Sequence, residues 1–474
     1  MNVFLKKLLL YIPVKMVPAV AGVFFVVFLY KFFPEGQYVS YSVSIFCALT
    51  AAQLCSGWVG NSFIYHYSGV EDKARFLVNC LGVVLVIAPI ASLLAATTAV
   101  AVIDESSLFI YVWTLCFSQI VFFFLSSVCQ GIYLVKQQLI AVLLQAFLQI
   151  GWIIIFFQFW KIDFRYALLA SAVGYAAAAS FMLFSTLRLL TPSGPFWNAY
   201  LFRGDLHRIY TYGAALSPWM LGMLVMAGSD RLLIGLYEIE HGDSYLSLKD
   251  LFIGGAGLLS MPLLMMVHPF VINKFRAGTF AIGIIESSSS FLVVAFSLLW
   301  SVIYFVGLDF FERITGKGIG APRAVIFFAF IGVYISSAAV YFQKRLEVHR
   351  KMRLLAYLSL FCAAMSFFFA WVGGVLWGLY GISLGVLLAQ VLYLIAVVGS
   401  MSKRLDFYKS FALPAMVSFF AYSAGYLLNV IVQFIETDIW WMRSILWLTG
   451  FTMVSLVSFW KGVKWREFLN ATTL

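Results

Sequence analysis

Apolar residues run along this chain in long blocks, with polar residues gathered between the blocks instead of alternating inside them. Many blocks reach the length of about 18–20 residues that a helix needs to cross a bilayer. A membrane barrel would instead show short segments of alternating character. The pattern predicts about fourteen spanning helices. They fall at 8–30, 38–62, 76–102, 108–130, 137–159, 165–188, 210–236, 249–272, 281–308, 323–343, 354–374, 377–400, 411–433 and 443–461. The division between the eleventh and twelfth lies in the glycine-rich "VGGVLWGLYG".

Between the sixth and seventh helices lies "LLTPSGPFWNAYLFRGDLHRIY", residues 189–210. After its "TPSGP" breaker it interleaves aromatics with Arg203, His207 and Arg208, which fits a short helix in the membrane interface. An ordinary basic linker is the other reading. The expected organisation is six helices over 1–188, a linker at 189–209, six more helices over 210–400, and two helices with a tail over 401–474. A Pro-x-x-x-Gly break recurs early in each six-helix part, at Pro18 with Gly22 and at Pro218 with Gly222. Duplicated halves are a common plan for transporters, and interruptions in matching helices point toward the transport site.

Composition turns the pattern into a statement about solvent. Of the 474 residues, 63% are hydrophobic and 11% charged, and the mean hydropathy is +0.97. A soluble domain is about 45–50% apolar and about 25% charged, so the solvent of this chain is lipid. The N-terminus, "MNVFLKKLLLYIPVKMVPAVAG", imitates a signal peptide. Lys15 and Pro13 interrupt its apolar stretch, which then continues to Tyr30, so an uncleaved first helix is expected.

The net charge of +11 sits in short loops. More than twice as many Lys and Arg fall on the side of Lys6, Lys73, Lys136, Arg208, Lys344 and Lys403 as on the side of Lys31, Lys161, Lys249 and Arg323. The positive-inside rule then puts both termini in the cytoplasm and explains the charge without nucleic acid. The six cysteines lie in apolar runs without metal or CxxC spacing, as small buried hydrophobes do.

The opposite loops are short and include "WKIDFR", "EIEHGDSYLSLKD" and "DFFERITGKGIGAPR". Their acids read as solvated charge, and no loop is long enough to fold as a catalytic domain, so an enzyme is not expected. There is no Walker A sequence, no ladder of arginines and no filter-like carbonyl loop. A secondary transporter or flippase is the class that remains, and nothing calls for a cofactor.

Polar residues inside the apolar blocks are the candidate site, because a central charge costs about 2.5–3.5 kcal/mol even on insertion scales. They are Lys15 in the first helix, Asn61 and His66 in the second, Asp230 and Arg231 in the seventh, and His268 and Lys274 in the eighth. Adjacent helical residues point about 100° apart, so Asp230 and Arg231 do not neutralise each other along one face. Asp230 is too short to snorkel and calls for a partner, either Arg231 or a cation on another helix. The pair is a helix–helix clamp or part of a cavity. The glutamines Gln119, Gln130, Gln145 and Gln149 suit hydrogen bonds between helices. A set that is mostly cationic or hydrogen-bonding suits an anionic substrate such as a lipid phosphate.

The stretch "YGAALSPWMLGMLVMAGSDRLLIGLY" resembles the seventh helix of Wzx-type oligosaccharide flippases, in Tyr212-Gly213, Pro218 and Asp230-Arg231. These belong to the multidrug/oligosaccharidyl-lipid/polysaccharide exporter superfamily. "GWVGNSFIYHYSG" is similar to the end of their second helix, and "GLYGISLGVLLAQ" to their twelfth. The resemblance implies two six-helix lobes in a V around a central cavity, with the last two helices as an appendage. It implies a bacterial inner-membrane protein that moves an undecaprenyl-diphosphate-linked oligosaccharide outward by alternating access. The implied partners are that lipid-linked substrate, membrane lipid, a coupling H+ or Na+, and a polysaccharide polymerase. The alternatives are a multidrug/cation antiporter of the same superfamily and a membrane glycan polymerase or ligase. The antiporters usually carry a carboxylate in the first helices of a lobe, where this chain has Lys15; a polymerase would need a large outward loop.

Overall fold

The computed structural model describes residues 3–189, 203–276, 282–349 and 351–400. Among these the regular structure is helical. Its helices are α1 (Val3–Phe32), α2 (Gln37–His66), α3 (Lys73–Ile103), α4 (Phe109–Gly131), α5 (Val135–Phe159), α6 (Phe164–Leu189) and α7 (Arg203–Tyr237). Then come α8 (Gly242–Arg276), α9 (Ile282–Val302), α10 (Leu308–Thr315), α11 (Arg323–Val348), α12 (Met352–Trp377) and α13 (Leu379–Gly399). Nine of the described helices are long and apolar enough to cross a membrane. The protein is a multi-pass, all-α membrane protein. The predicted helices at 411–433 and 443–461, and the segment 190–202, lie outside the described residues.

In the middle of α3 small and large side chains divide between the two sides of the helix. In α3, Ala88, Ala91, Ala95, Ala96 and Ala99 are buried, while Leu85, Val86, Ile90, Leu93 and Leu94 are exposed. Lipid is as apolar as leucine, so burying large side chains gains little there. Small ones let backbones approach and gain dispersion contact. Hydroxyls on buried faces satisfy themselves within their helices, as when Ser56 donates to Ala52 O at 2.6 Å and Thr186 to Met182 O at 2.7 Å. The expected linking role of the glutamines is seen where Gln149 donates to Ser171 Oγ at 2.9 Å, joining α5 to α6. All six cysteines are free thiols, and all but Cys55 are buried.

Three boundaries differ from those the sequence predicted. α7 begins at Arg203, so the stretch 203–209, read as linker, is its first two turns. Asp205 explains the extension: it is buried, accepts from Asn79 Nδ2 at 2.8 Å and lies 3.4 Å from Arg75 Nε. The loop "EIEHGDSYLSLKD" closes after a few residues, and α8 starts at Gly242. The predicted loop "DFFERITGKGIGAPR" is helical as far as Thr315. There a π-helical turn over Ile303–Gly307 carries α9 into α10, and Gly316 ends the helix at φ 69°.

The described residues form two compact units. The first contains residues up to Gly254, Gly320–Ala329 and Met352–Tyr393. Within it α7 packs along both α2 and α12, and α2 along α3 and α4. The "VGGVLWGLYG" break is a tight hairpin: Gly378 at φ 57° turns the chain, and a Cβ on Gly381 would strike the Gly373 carbonyl. The second unit contains Gly255–Ile319 and Phe330–Lys351 among its described parts. Its aromatic core packs Phe296 and Trp300 of α9 against Phe330 of α11, and Tyr341 donates to Ser260 O at 2.6 Å.

Candidate functional site

The Asp230–Arg231 pair lies two turns from the end of α7, and α8 returns alongside it. Lys249 and Asp250 lie the same distance, about 10 Å at 1.5 Å per residue, into α8. The turn between them places Glu238 and His241 at positive φ, 46° and 62°. This hairpin sets an acid–base sequence on one helix against a base–acid sequence on the next.

The charges pair across the helices. Lys249 Nζ donates to Asp230 Oδ2 and, at 2.9 Å, to Ala227 O. Tyr245 Oη donates to the same Asp230 oxygen at 2.6 Å. Arg231 pairs with Asp250 and donates to Ser42 Oγ at 3.2 Å. Asp250 also accepts from Tyr38 Oη at 3.0 Å and Ser42 Oγ at 3.3 Å. Asp230 is 0% and Lys249 2% exposed. Two acids and two bases give the cluster no net charge, so its interior electrostatics favour holding helices over attracting an anion. Gly228 makes the approach of α2 possible, since a Cβ there would collide with the Phe46 ring. That close crossing brings Ser42 and Tyr38 to the charges.

Lys249, Asp250, Tyr245 and Tyr38 are not among the residues that the sequence marks. Its charge pattern assigns Lys249 to an outward loop. The available signal is the reversal of "DR" into "KD", together with Asp243-Ser244 as a helix start. Asp243 caps α2 in trans, its carboxylate accepting from Val39 N at 2.7 Å and from Gly36 N.

The other described candidates lie elsewhere. Asn61 is exposed near the end of α2, and His66 is half-buried in its last turn. They are about 30–36 Å along α2 from Ser42, at 1.5 Å per residue. His66 lies among rings, 4.9 Å from Tyr65 and 5.9 Å from Tyr212 of α7 by centroid. Tyr65 and Tyr212 stack at 4.5 Å and 17°. The structure therefore does not bring Asn61 and His66 together with Asp230 and Arg231. Lys15 belongs to α1, and His268 and Lys274 to α8, but their side chains lie outside the described residues. Among the described residues no cluster of His, Cys, Asp and Glu could hold a metal.

No family model matches the sequence, and no curated protein matches it. Solved structures do share its fold. A lipid II flippase MurJ in an inward closed conformation aligns with a TM-score of 0.75 at 11% identity, over 97% of this chain and 99% of that one. The MATE multidrug transporter DinF-BH, solved in complex with a ligand, aligns with a TM-score of 0.59 at 16% identity, over 83% and 94%. The eukaryotic MATE transporter AtDTX14 gives 0.55 at 12% identity, over 95% and 98%. The architecture of this chain is thus the one shared by a lipid flippase and multidrug transporters.

Proposed function

We propose that this protein is a flippase that moves an undecaprenyl-diphosphate-linked oligosaccharide from the cytoplasmic to the outer leaflet by ion-coupled alternating access. The observation that carries the reading is the charge pattern set on that fold. α1 and α2 contain no Asp or Glu, and Lys15 stands where a cation antiporter would keep a carboxylate. The buried Asp230 and the half-buried Asp250 are each matched by a base, which leaves neither as a site for a cationic drug. In this reading Lys15, His268 and Lys274 meet the diphosphate, Asn61 and His66 meet the substrate at the cytoplasmic side, and Asp230 and Arg231 clamp α7 to α8. A diphosphate with about two negative charges gains about 4–5 kcal/mol per 100 mV on moving outward, from about 2.3 per charge.

Deleting the gene should leave lipid-linked oligosaccharide in the inner leaflet and deplete the surface polymer. Normal surface glycan with new sensitivity to cationic dyes would favour the antiporter instead. Lys15→Ala should lower export about tenfold or more at normal abundance, the cost of a charge-assisted hydrogen bond, while Lys15→Arg should retain part of it.

A further inference from the structure

The aromatic cluster where α2 ends and α7 begins has features that lipid contact alone does not call for. Tyr65 is 57% exposed, yet its ring lies nearly parallel to that of Tyr212 on a different helix, 4.5 Å away. His66 stands edge-on to both, at 88° and 78°. Aromatic residues of a membrane belt hold their amphipathic rings at the headgroup level. Here three rings from two helices form one assembly.

The assembly is held rigidly from behind. Ser62 Oγ donates to Ile209 O at 3.0 Å, and the Trp58 ring occupies the space that a side chain at Gly213 would need. Each tyrosine also has a polar residue one turn earlier on its own helix, which places it on the same face. Asn61 precedes Tyr65 and Arg208 precedes Tyr212, and both are exposed. Because α2 finishes here and α7 starts here, the two residues lie on opposite sides of the stack. Arg208 is on the aqueous side and close enough to act electrostatically on His66; Asn61 is a turn deeper.

An exposed tyrosine ring backed by a second one, with an amide and a guanidinium a turn away, matches one chemistry well. Pyranose rings present an apolar C–H face to aromatic rings, an amide can both donate to and accept from hydroxyls, and a guanidinium forks onto phosphate. We infer that Tyr65 and Tyr212, with Asn61, His66 and Arg208, form a docking platform for the phosphate-linked sugar of the substrate. The inference rests on the flippase reading and adds a saccharide subsite to it, on the face that the charge bias assigns to the cytoplasm.

The full-length protein in lipid nanodiscs would be titrated with two probes. One is a short-chain polyprenyl diphosphate carrying a disaccharide, the other the same diphosphate without sugar. Tyr65→Ala and Tyr212→Ala should weaken the sugar-bearing probe by about tenfold, the scale of ring stacking, and leave the bare diphosphate unchanged. Tyr65→Phe, which keeps the ring, should bind both probes as the parent does and guards against misfolding as the cause. Arg208→Gln should weaken both probes. Equal weakening of the two probes by the alanine changes, or none, with the parent binding both, overturns the platform while leaving the flippase reading intact. A parent that binds neither probe removes both.

Discussion

The two ends of α7 solve opposite problems. Toward α8, Asp230 and Arg231 are buried and every charge has a counter-charge on α8, reinforced by hydroxyls from α2. At its start, Tyr212 stacks on Tyr65 of α2, His66 of α2 stands edge-on to both, and Arg208 is exposed one turn earlier. The first end spends its polar groups on holding helices together. The second adds a hydroxyl-to-carbonyl bond and glycine packing to the buried contact of Asp205 with Asn79 and Arg75, and leaves Arg208 exposed beside the exposed Tyr65 of α2. A charged residue in a membrane helix is therefore weak evidence of a binding site until its partners are known. An exposed ring over a rigid backing is stronger evidence than its sequence suggests.

The comparison breaks most decisively at Lys249. Lys249→Ala leaves Asp230 charged and fully buried, and stranding one member of a buried pair costs about 3–5 kcal/mol. Membrane abundance and thermal unfolding in detergent should both fall sharply. Combining Asp230→Asn with Lys249→Met should restore them, because no buried charge is left and Tyr245 still bonds the side chain at 230. Failure of the rescue would mean that the pair does more than hold α7 to α8.

Arg231→Ala should come next. Its partner Asp250 keeps a side-chain exposure of 16% and bonds from Tyr38 and Ser42, so part of the loss is absorbed. A destabilisation of about 1.5–3 kcal/mol is expected, the range for bonds to charged groups. Adding Asp250→Asn should recover both stability and surface glycan. If stability returns but export does not, Arg231 belongs to the transport site as well as to the clamp.

At the other end, Asp205→Ala removes the acceptor for Asn79 and the nearby Arg75. Loss of this anchor should cost about 1–3 kcal/mol and raise proteolysis near residue 203, measured by limited digestion in nanodiscs. The smallest effect is expected at Asp243→Ala, which strips the cap from the start of α2 for about 0.5–2 kcal/mol. Its check is the unfolding temperature, with Asp243→Asn retaining most of the stability.

Much of this was legible in the chain because lipid imposes a simple rule. Every backbone polar group in hydrocarbon must be satisfied internally, so long apolar blocks can only be helices. Their approximate places through residue 400 followed from block length, and the hairpin at "VGGVLWGLYG" followed from its glycines. The demand of Asp230 for a partner followed too, since a short buried carboxylate cannot reach water. The pattern failed where polarity and helicity part company. "GDSYLSLKD" and "DFFERIT" look like loops by composition, yet they are helical, with polar groups that pair with another helix, as Lys249 and Asp250 do, or are exposed, as Asp309 and Arg313 are. The identity of Asp230's partner, the release of Arg231 from a solitary role, and the meeting of Tyr65 with Tyr212 were settled only by tertiary structure. The first two rest on the α7–α8 hairpin, 19 residues apart in sequence, and the third on the close α2–α7 crossing that Gly228 and Gly213 permit. Periodicity along one helix records which face is apolar but not which neighbour that face will meet.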